Sequence, residues 1–300
     1  ENQLLGASGA GGDYEIEQSL RFDDGSGSYL SWTPASAGNR KTWTWSGWVK
    51  RGPTGVSQSI FRVNGSGDTG HLDVWFNPSD YLYLAGSSTY FRITDQLFRD
   101  PSAWGHLVIA FDTTQSTATD RVKIYWNGVQ ITSFSTNNTL SQNTNYGVNQ
   151  ASVSWDIGKG YGYLDGYLAE VNFVDGQALT PDSFGETGTY GEWKPIAYAG
   201  TYGTNGFNLK FENASSLGND SAGSNNWTPN NLAATDQMVD SPTNNFCTWN
   251  PLDSYLTPVL SEGNLKFQMN NARCRGTIAS QVDGKIYFEV YNPTLVSNTN

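Results

Sequence analysis

A chain of 300 residues has room for two domains of ordinary size. Charged residues make up only 15% and aromatics 14%, and 33 glycines with 11 prolines suit short strands joined by tight turns rather than helices. The formal net charge of −11 argues against a phosphate-backbone binder, which needs clustered Lys and Arg, and no apolar run approaches the roughly 18 residues of a membrane span.

Residues 1–18 are rich in glycine and alanine and poor in apolar side chains, as expected of an arm that gains order by lying on something else. The chain begins at Glu1 without Met or a charged-then-apolar leader, and reads as an ordered piece of a longer polypeptide. From 19 to 187 strand signals recur. The clearest is the pair of alternating runs 122–126 and 129–132 around Asn127-Gly128, a type I′ hairpin because both central residues must take φ > 0. Its register pairs Trp126 with Val129, Tyr125 with Gln130 and Ile124 with Ile131, which makes Trp126 a core residue.

A second hairpin joins 72–76 to 81–85 through Asn77-Pro78-Ser79-Asp80. A two-residue loop puts Tyr81 and Tyr83 on the face of Val74 and Phe76; a three- or five-residue loop puts them with Asp73 and Trp75. Residues 188–245 read as an irregular connector rich in Gly, Asn and Ser, packing through Trp193, Phe207, Leu209, Phe211 and Trp227. From 246 to 300 strands return at 264–269, 275–279 and 284–291. Cys247 and Cys274 are too few for a disulfide framework and are expected as two buried thiols, a single bridge between them being the alternative.

Several landmarks occur in order: Leu20-Arg21-Phe22-Asp23-Asp24-Gly25, then Trp43-Thr44-Trp45-Ser46-Gly47-Trp48-Val49-Lys50, Trp104-Gly105-His106-Leu107-Val108, Tyr125-Trp126-Asn127-Gly128, and Leu164-Asp165-Gly166-Tyr167-Leu168-Ala169-Glu170. Together they resemble the laminin-G-like branch of the concanavalin A-like lectin/glucanase superfamily. That resemblance implies an all-β, antiparallel jelly-roll sandwich over 19–187, and a protein that binds rather than catalyses. The start of the 246–300 module, Gly284-Lys285-Ile286-Tyr287-Phe288-Glu289-Val290, resembles the opening of SPRY domains, another β-sandwich.

The order of the whole chain, from Gly-rich arm through the sandwich to Asn225-Asn226-Trp227-Thr228 and Asp240-Ser241-Pro242, is similar to long proteins of tailed bacteriophages. It implies a fibre-like protein on the virion surface. Its partners would be other virion proteins, further copies of itself (a trimer by analogy with phage fibres) and a host-cell surface glycan or receptor.

The residues agree with a non-enzymatic reading. Glycoside hydrolysis needs two carboxylates facing each other across a cleft. The Glu-x-Asp-x-x-Glu pattern of the glucanase branch is absent, and Asp165 and Glu170 are spaced for opposite faces of a strand. His71 and His106 have no zinc-ligand spacing, and His106 is expected as a satisfied, partly buried histidine. The family often holds calcium at the sheet rim, which makes Asp68, Asp73 and Asp165 candidate oxygen donors, against turn capping as the other use of such residues. No cofactor is otherwise required. Sugar binding calls for flat aromatic faces, and the candidates are Trp75, Tyr81, Tyr83, Tyr90, Tyr161 and Tyr163, at least half of them expected as core or interface residues. Three functions follow: a glycan- or receptor-binding module, a structural decoration or adaptor subunit, and a glucanase-like depolymerase.

Overall fold

The computed structural model describes residues 14–67, 69–256, 258–268, 272–279 and 287–291. Its strands begin with β1 (Ser19–Phe22), β2 (Tyr29–Trp32), β3 (Thr42–Arg51), β4 (Gln58–Asn64), β5 (His71–Phe76) and β6 (Tyr81–Ala85). They continue with β7 (Tyr90–Leu97), β8 (Gly105–Asp112), β9 (Val122–Trp126), β10 (Val129–Ile131), β11 (Phe134–Asn137), β12 (Trp155–Ile157) and β13 (Gly166–Asp175). Then come β14 (Gly185–Thr187), β15 (Trp193–Pro195), β16 (Phe207–Leu209), β17 (Thr228–Asn230) and β18 (Gln237–Met238). The last four, β19 (Trp249–Tyr255), β20 (Val259–Ser261), β21 (Lys266–Gln268) and β22 (Arg273–Gly276), form two separate pairs, β19 with β22 and β20 with β21.

Two eight-stranded antiparallel sheets make a sandwich. The first runs β10-β9-β8-β3-β13-β1-β18 with β16 also on β13; the second runs β11-β7-β6-β5-β4-β12-β2-β17. Alternation along each strand sends one set of side chains between the sheets. On β3 these are Trp43, Trp45 and Val49, and on β5 Leu72, Val74 and Phe76. Trp43 stacks on Phe111 at 4.7 Å between ring centroids, and Trp155 meets Phe173 edge-on at 5.0 Å. Such contacts add about 0.5–1.5 kcal/mol per pair to the burial of the rings themselves.

The Asn127-Gly128 hairpin has the expected register, with φ of 49° and 78° at its two central residues. The hairpin between β5 and β6 takes the register of the three- or five-residue loop: Phe76 pairs with Leu82 and Trp75 with Tyr83. Contacts within and outside the hairpin hold it, Asn77 Oδ1 accepting from the amides of Ser79 and Tyr81. Asp80 adopts φ 67°, and its carboxylate is held at 3.0 Å by both Arg51 Nη1 and Arg99 Nε. Tyr83 therefore shares the face of Asp73 and Trp75, and Tyr81 follows it by the period of two.

Residues 188–245, read from sequence as an irregular connector, extend both sheets: β16 lies beside β13, β17 beside β2 and β18 beside β1. Phe207, Leu209, Phe211 and Trp227 enter the core between the sheets, and Trp193 packs outside the first sheet near Trp48. Residues 14–18, the described end of the arm, lie on the first sheet as well. Ile16 is buried against Trp48, Trp104 and Tyr167, and its backbone exchanges hydrogen bonds with Thr243 Oγ1. The strands expected at 264–269 and 275–279 are found at Lys266–Gln268 and Arg273–Gly276. Of the strand expected at 284–291, residues 284–286, the start of the SPRY-like motif, fall outside the described residues, and 287–291 are exposed and form no strand because nothing among the described residues pairs with them. Both cysteines are free but not both buried: Cys247 is exposed and Cys274 half-buried, because this part of the chain forms two-stranded pairs rather than a packed sandwich.

Candidate functional site

A sandwich has two outer faces, and the chain treats them oppositely. The outer face of the first sheet is covered by the protein's own segments. Thr44 is bonded to the backbone of Gln177 and Leu179, Ser46 to His106, Lys50 to Asp240, Asn245 and Phe246, and Tyr167 to the carbonyl of Gly263. Nine of the ten β3 residues are buried in consequence. The outer face of the second sheet carries exposed rings instead.

Those rings come together from four places. Trp75 on β5 lies 4.5 Å from Tyr161, 4.8 Å from Tyr83 and 6.2 Å from Tyr90, and Tyr83 meets Tyr90 edge-on at 5.4 Å. Trp75 is nearly buried beneath its neighbours, whereas Tyr161 and Tyr90 are 52% and 47% exposed. Tyr161 reaches the sheet because Gly160 has no side chain: a Cβ there would sit 2.9 Å from Asp73 Oδ1. Of the six sequence candidates, Trp75, Tyr83, Tyr90 and Tyr161 thus form one group. Tyr163 lies apart, 6.3 Å from Tyr29, and Tyr81, half-buried on the same face, has no ring contact with the group.

Beside the rings the same face sinks into a pocket of about 450 Å³ whose lining includes Tyr29, Ser31, Arg62, Asn64, Asp156 and Lys159. Strand pairing builds it, since Asp156 on β12 faces Ser31 on one side and Arg62 on the other, and Arg62 in turn faces Asp73 on β5. Asn64 Nδ2 donates to Asp156 Oδ2 at 2.8 Å, Lys159 Nζ sits 4.0 Å from the centre of the Tyr29 ring, and Arg62 Nη1 stands 3.4 Å from Asp73 Oδ2. Asp73 has no accessible surface, and its Oδ1 has no hydrogen-bond partner. Burial pushes its carboxyl up to about 7, with Arg62 pulling the other way. Sequence reasoning missed Tyr29, Arg62, Asn64, Asp156 and Lys159. The available signal was the polar residue recurring inside otherwise apolar strands, as in Phe61-Arg62-Val63-Asn64 and Trp155-Asp156-Ile157.

Asp73 and Asp156 flank Arg62 on neighbouring strands, so their backbones are separated by two strand spacings, roughly 10 Å. A glycosidase needs two carboxyl groups about 5–9.5 Å apart that both reach the substrate. Asp73, sealed under Gly160 and Trp75, does not reach solvent.

The acidic residues sort differently from the sequence expectation. Asp73 lies buried behind Arg62 and outside the pocket lining, Asp68 lies outside the described residues, and Asp165 meets Asp23 and Asp24. One oxygen from each of these three lies within 4.8 Å of the others. The cluster exists because β1 and β13 pair, with Phe22 opposite Gly166. Asp165 is 1% exposed; its Oδ1 accepts from the Gly263 amide at 2.6 Å while its Oδ2 has no partner. Burial, then the neighbouring carboxylates Asp24 and Asp23, raise its carboxyl to about 7, against the Gly263 bond. Asp24 is raised by burial and by Asp23. An orphaned buried oxygen among hard anionic donors fits calcium, whose ligands are oxygens in flexible geometry.

His106 is fully inside the covered side. Nδ1 accepts from Trp193 Nε1 at 3.0 Å, Nε2 lies 2.8 Å from Ser46 Oγ, and Trp48 stacks on the ring at 4.8 Å. With Nδ1 accepting, the neutral ring donates from Nε2 to Ser46. It is the satisfied histidine expected from the sequence, and far from the exposed rings.

The sequence pattern of the Concanavalin A-like lectin/glucanases superfamily matches residues 24–183, the stretch that carries most of both sheets. Among solved structures, the chain is similar to a native heptameric SAP-like pentraxin from Limulus polyphemus, at 17% identity and a TM-score of 0.40 over 56% of this chain and 80% of that one. It is similar to domains LG4-5 of the mouse laminin alpha1 chain, at 12% identity and 0.38 over 63% and 48%. A third likeness is the Ruminococcus gnavus IT-sialidase CBM40 bound to alpha2,3 sialyllactose, at 12% and 0.36 over 56% and 96%. No curated protein matches the chain in sequence. With a match over more than half of its length, the chain belongs to the concanavalin A-like lectin/glucanases superfamily.

Proposed function

We propose that the outer face of the second sheet binds a glycan, and that the protein is a non-catalytic, lectin-like component of a phage virion surface, where it meets the host cell. The observation that carries this is the aromatic group in which Tyr83 and the exposed Tyr90 and Tyr161 pack on the nearly buried Trp75, on the outer face that the described residues leave open. The C–H face of a pyranose packs on such rings, and the polar groups beside them fix its orientation. The virion setting, other virion proteins as partners and a trimeric assembly rest on the sequence resemblance.

The full chain is expected to bind a subset of glycans on an array, and whole host cells, saturably. Trp75→Ala should weaken that binding about tenfold or more, because it removes the ring on which the three others pack. A folded variant with unchanged affinity would place the site elsewhere. Release of reducing ends from bound glycan would instead favour the depolymerase. A structural adaptor is favoured by another observation: Leu252, Tyr255 and Val259 are exposed on the β19–β20 segment, at 58%, 64% and 63%. Failure of every glycan, with binding to other virion proteins, would establish that reading.

Calcium at Asp23, Asp24 and Asp165 is part of the proposal. Binding requires all three carboxyls ionised, so protons leave as the metal enters. Affinity should rise with pH through about 7, where Asp165 titrates. At a hundredfold excess over Kd the ion should add about 2.7 kcal/mol, or about 5–10 °C in Tm. Asp165→Asn should abolish the shift, and a wild-type Tm indifferent to calcium between pH 6 and 8 would remove the ion from the account.

A further inference from the structure

The pocket beside the rings has a charge pattern unlike the rest of this acidic protein. Its one lining carboxylate, Asp156, is 6% exposed and engaged by Asn64, and the nearby Asp73 is wholly buried behind Arg62. The groups left facing the pocket are cations. Lys159 packs its ammonium over Tyr29 and forms no ion pair among the described residues. Arg62 touches Asp73 only at 3.4 Å, and its Nε is buried without a partner. A guanidinium and an ammonium converging on one pocket without a firm counter-charge are poised for an anion, the guanidinium through its planar donor fork. The pocket is continuous with the aromatic group: the Arg62 guanidinium carbon is 6.0 Å from the centre of the Tyr161 ring, comparable to the width of a sugar ring.

We propose that Arg62 and Lys159 form an anion subsite, so that the ligand is an acidic glycan whose carboxylate or sulfate enters the pocket while its ring lies against Tyr161, which Trp75 supports from beneath. This rests on the glycan-binding reading above and narrows it. Lys159 supplies a point charge and Arg62 directional hydrogen bonds; Tyr29 keeps the Lys159 ammonium at the pocket mouth. The contacts are partly exposed, so salt should weaken them.

The test uses the full chain on an array of carboxylated and sulfated glycans, each printed beside its neutral counterpart (the methyl ester or the desulfated sugar). The charged member of the bound pairs should be preferred at least tenfold, and 300 mM NaCl should erode that preference. Which charged class is retained identifies the anion. Lys159→Met, at a partly exposed position outside the core, and Arg62→Ala should each reduce the preference for the charged glycan over its neutral counterpart, Lys159→Met being the variant that leaves the Asp73 contact in place. Trp75→Ala should weaken both members alike. Equal binding of charged and neutral members, lost in Trp75→Ala, would overturn the anion subsite and leave the glycan-binding face standing. A folded protein that binds no spot would sink both.

Discussion

Replacing Asp240 by Ala is expected to destabilise the protein by about 3–5 kcal/mol, because it strands a buried cation. Lys50 is completely buried, and its Nζ is held by Asp240 Oδ2 at 2.7 Å, Asn245 Oδ1 at 2.8 Å and the Phe246 carbonyl at 2.7 Å. Burial pulls its ammonium below the usual lysine range, with Asp240 opposing that pull. Asp240 also accepts from Trp104 Nε1 at 2.8 Å. The variant therefore removes the counter-charge and a tryptophan's partner together. In a chain of this size the loss corresponds to about 10 °C or more in Tm.

The control is the double variant Lys50→Met, Asp240→Leu, in which neither charge remains. Apolar replacement of both partners is often close to neutral, so much of the loss should return. Recovery should stop short of wild type, since Trp104 Nε1 still lacks an acceptor. A single variant within about 1 kcal/mol of wild type would mean the 240–246 segment does not seal this face in solution. The pair thus holds the cover on one face of the sandwich, opposite the face whose rings are proposed to bind a glycan.

How much of this was legible in the sequence depended on how far apart the deciding contacts lie. The register around Asn127-Gly128 is local, because two adjacent residues with positive φ set it. The hairpin before Tyr81 was undecidable for another reason: alternation fits either face, and the observed register is held jointly by Asn77 within the turn and by Arg51 and Arg99 gripping Asp80. The candidate rings were recognisable by type, but which of them meet was not. Trp75, Tyr83 and Tyr90 come from successive strands, yet Tyr161 arrives from the loop after β12, over a glycine. Asp165 was recognised as a calcium candidate, while its companions Asp23 and Asp24 required knowing that β1 pairs with β13. Arg62 and Asp156 each appear as a single polar residue in an apolar strand. Only their pairing across β4 and β12 makes a pocket.

The second large effect is acid sensitivity stored in His106. The ring is buried among Ser46, Trp48 and Trp193, with no charged group in contact, and burial lowers its pKa to about 3 from the 6.5 of a free histidine. The neutral ring is the stable form in the folded protein. Its contribution is fully present above pH 6.5 and declines as pH falls toward 3, by about 1.4 kcal/mol per unit and about 4–5 kcal/mol in all. Asp73 and Asp165 act with the opposite sign. Their carboxyls are raised to about 7, so their contribution is present below the unfolded pKa and lost as pH rises through 7.

The wild-type profile mixes these opposing slopes, and calcium at Asp165 would change it again. The difference between wild type and His106→Gln isolates the histidine, because the carboxylates are common to both. Urea unfolding in calcium-free buffer should show wild type losing about 3 kcal/mol of its margin over the variant between pH 7.5 and pH 4. A margin independent of pH over that range would mean that His106 accepts a proton in the folded state as readily as in the unfolded one. The ring would then have access to water, and the cover that Trp193 and its segment place over the first sheet would be open.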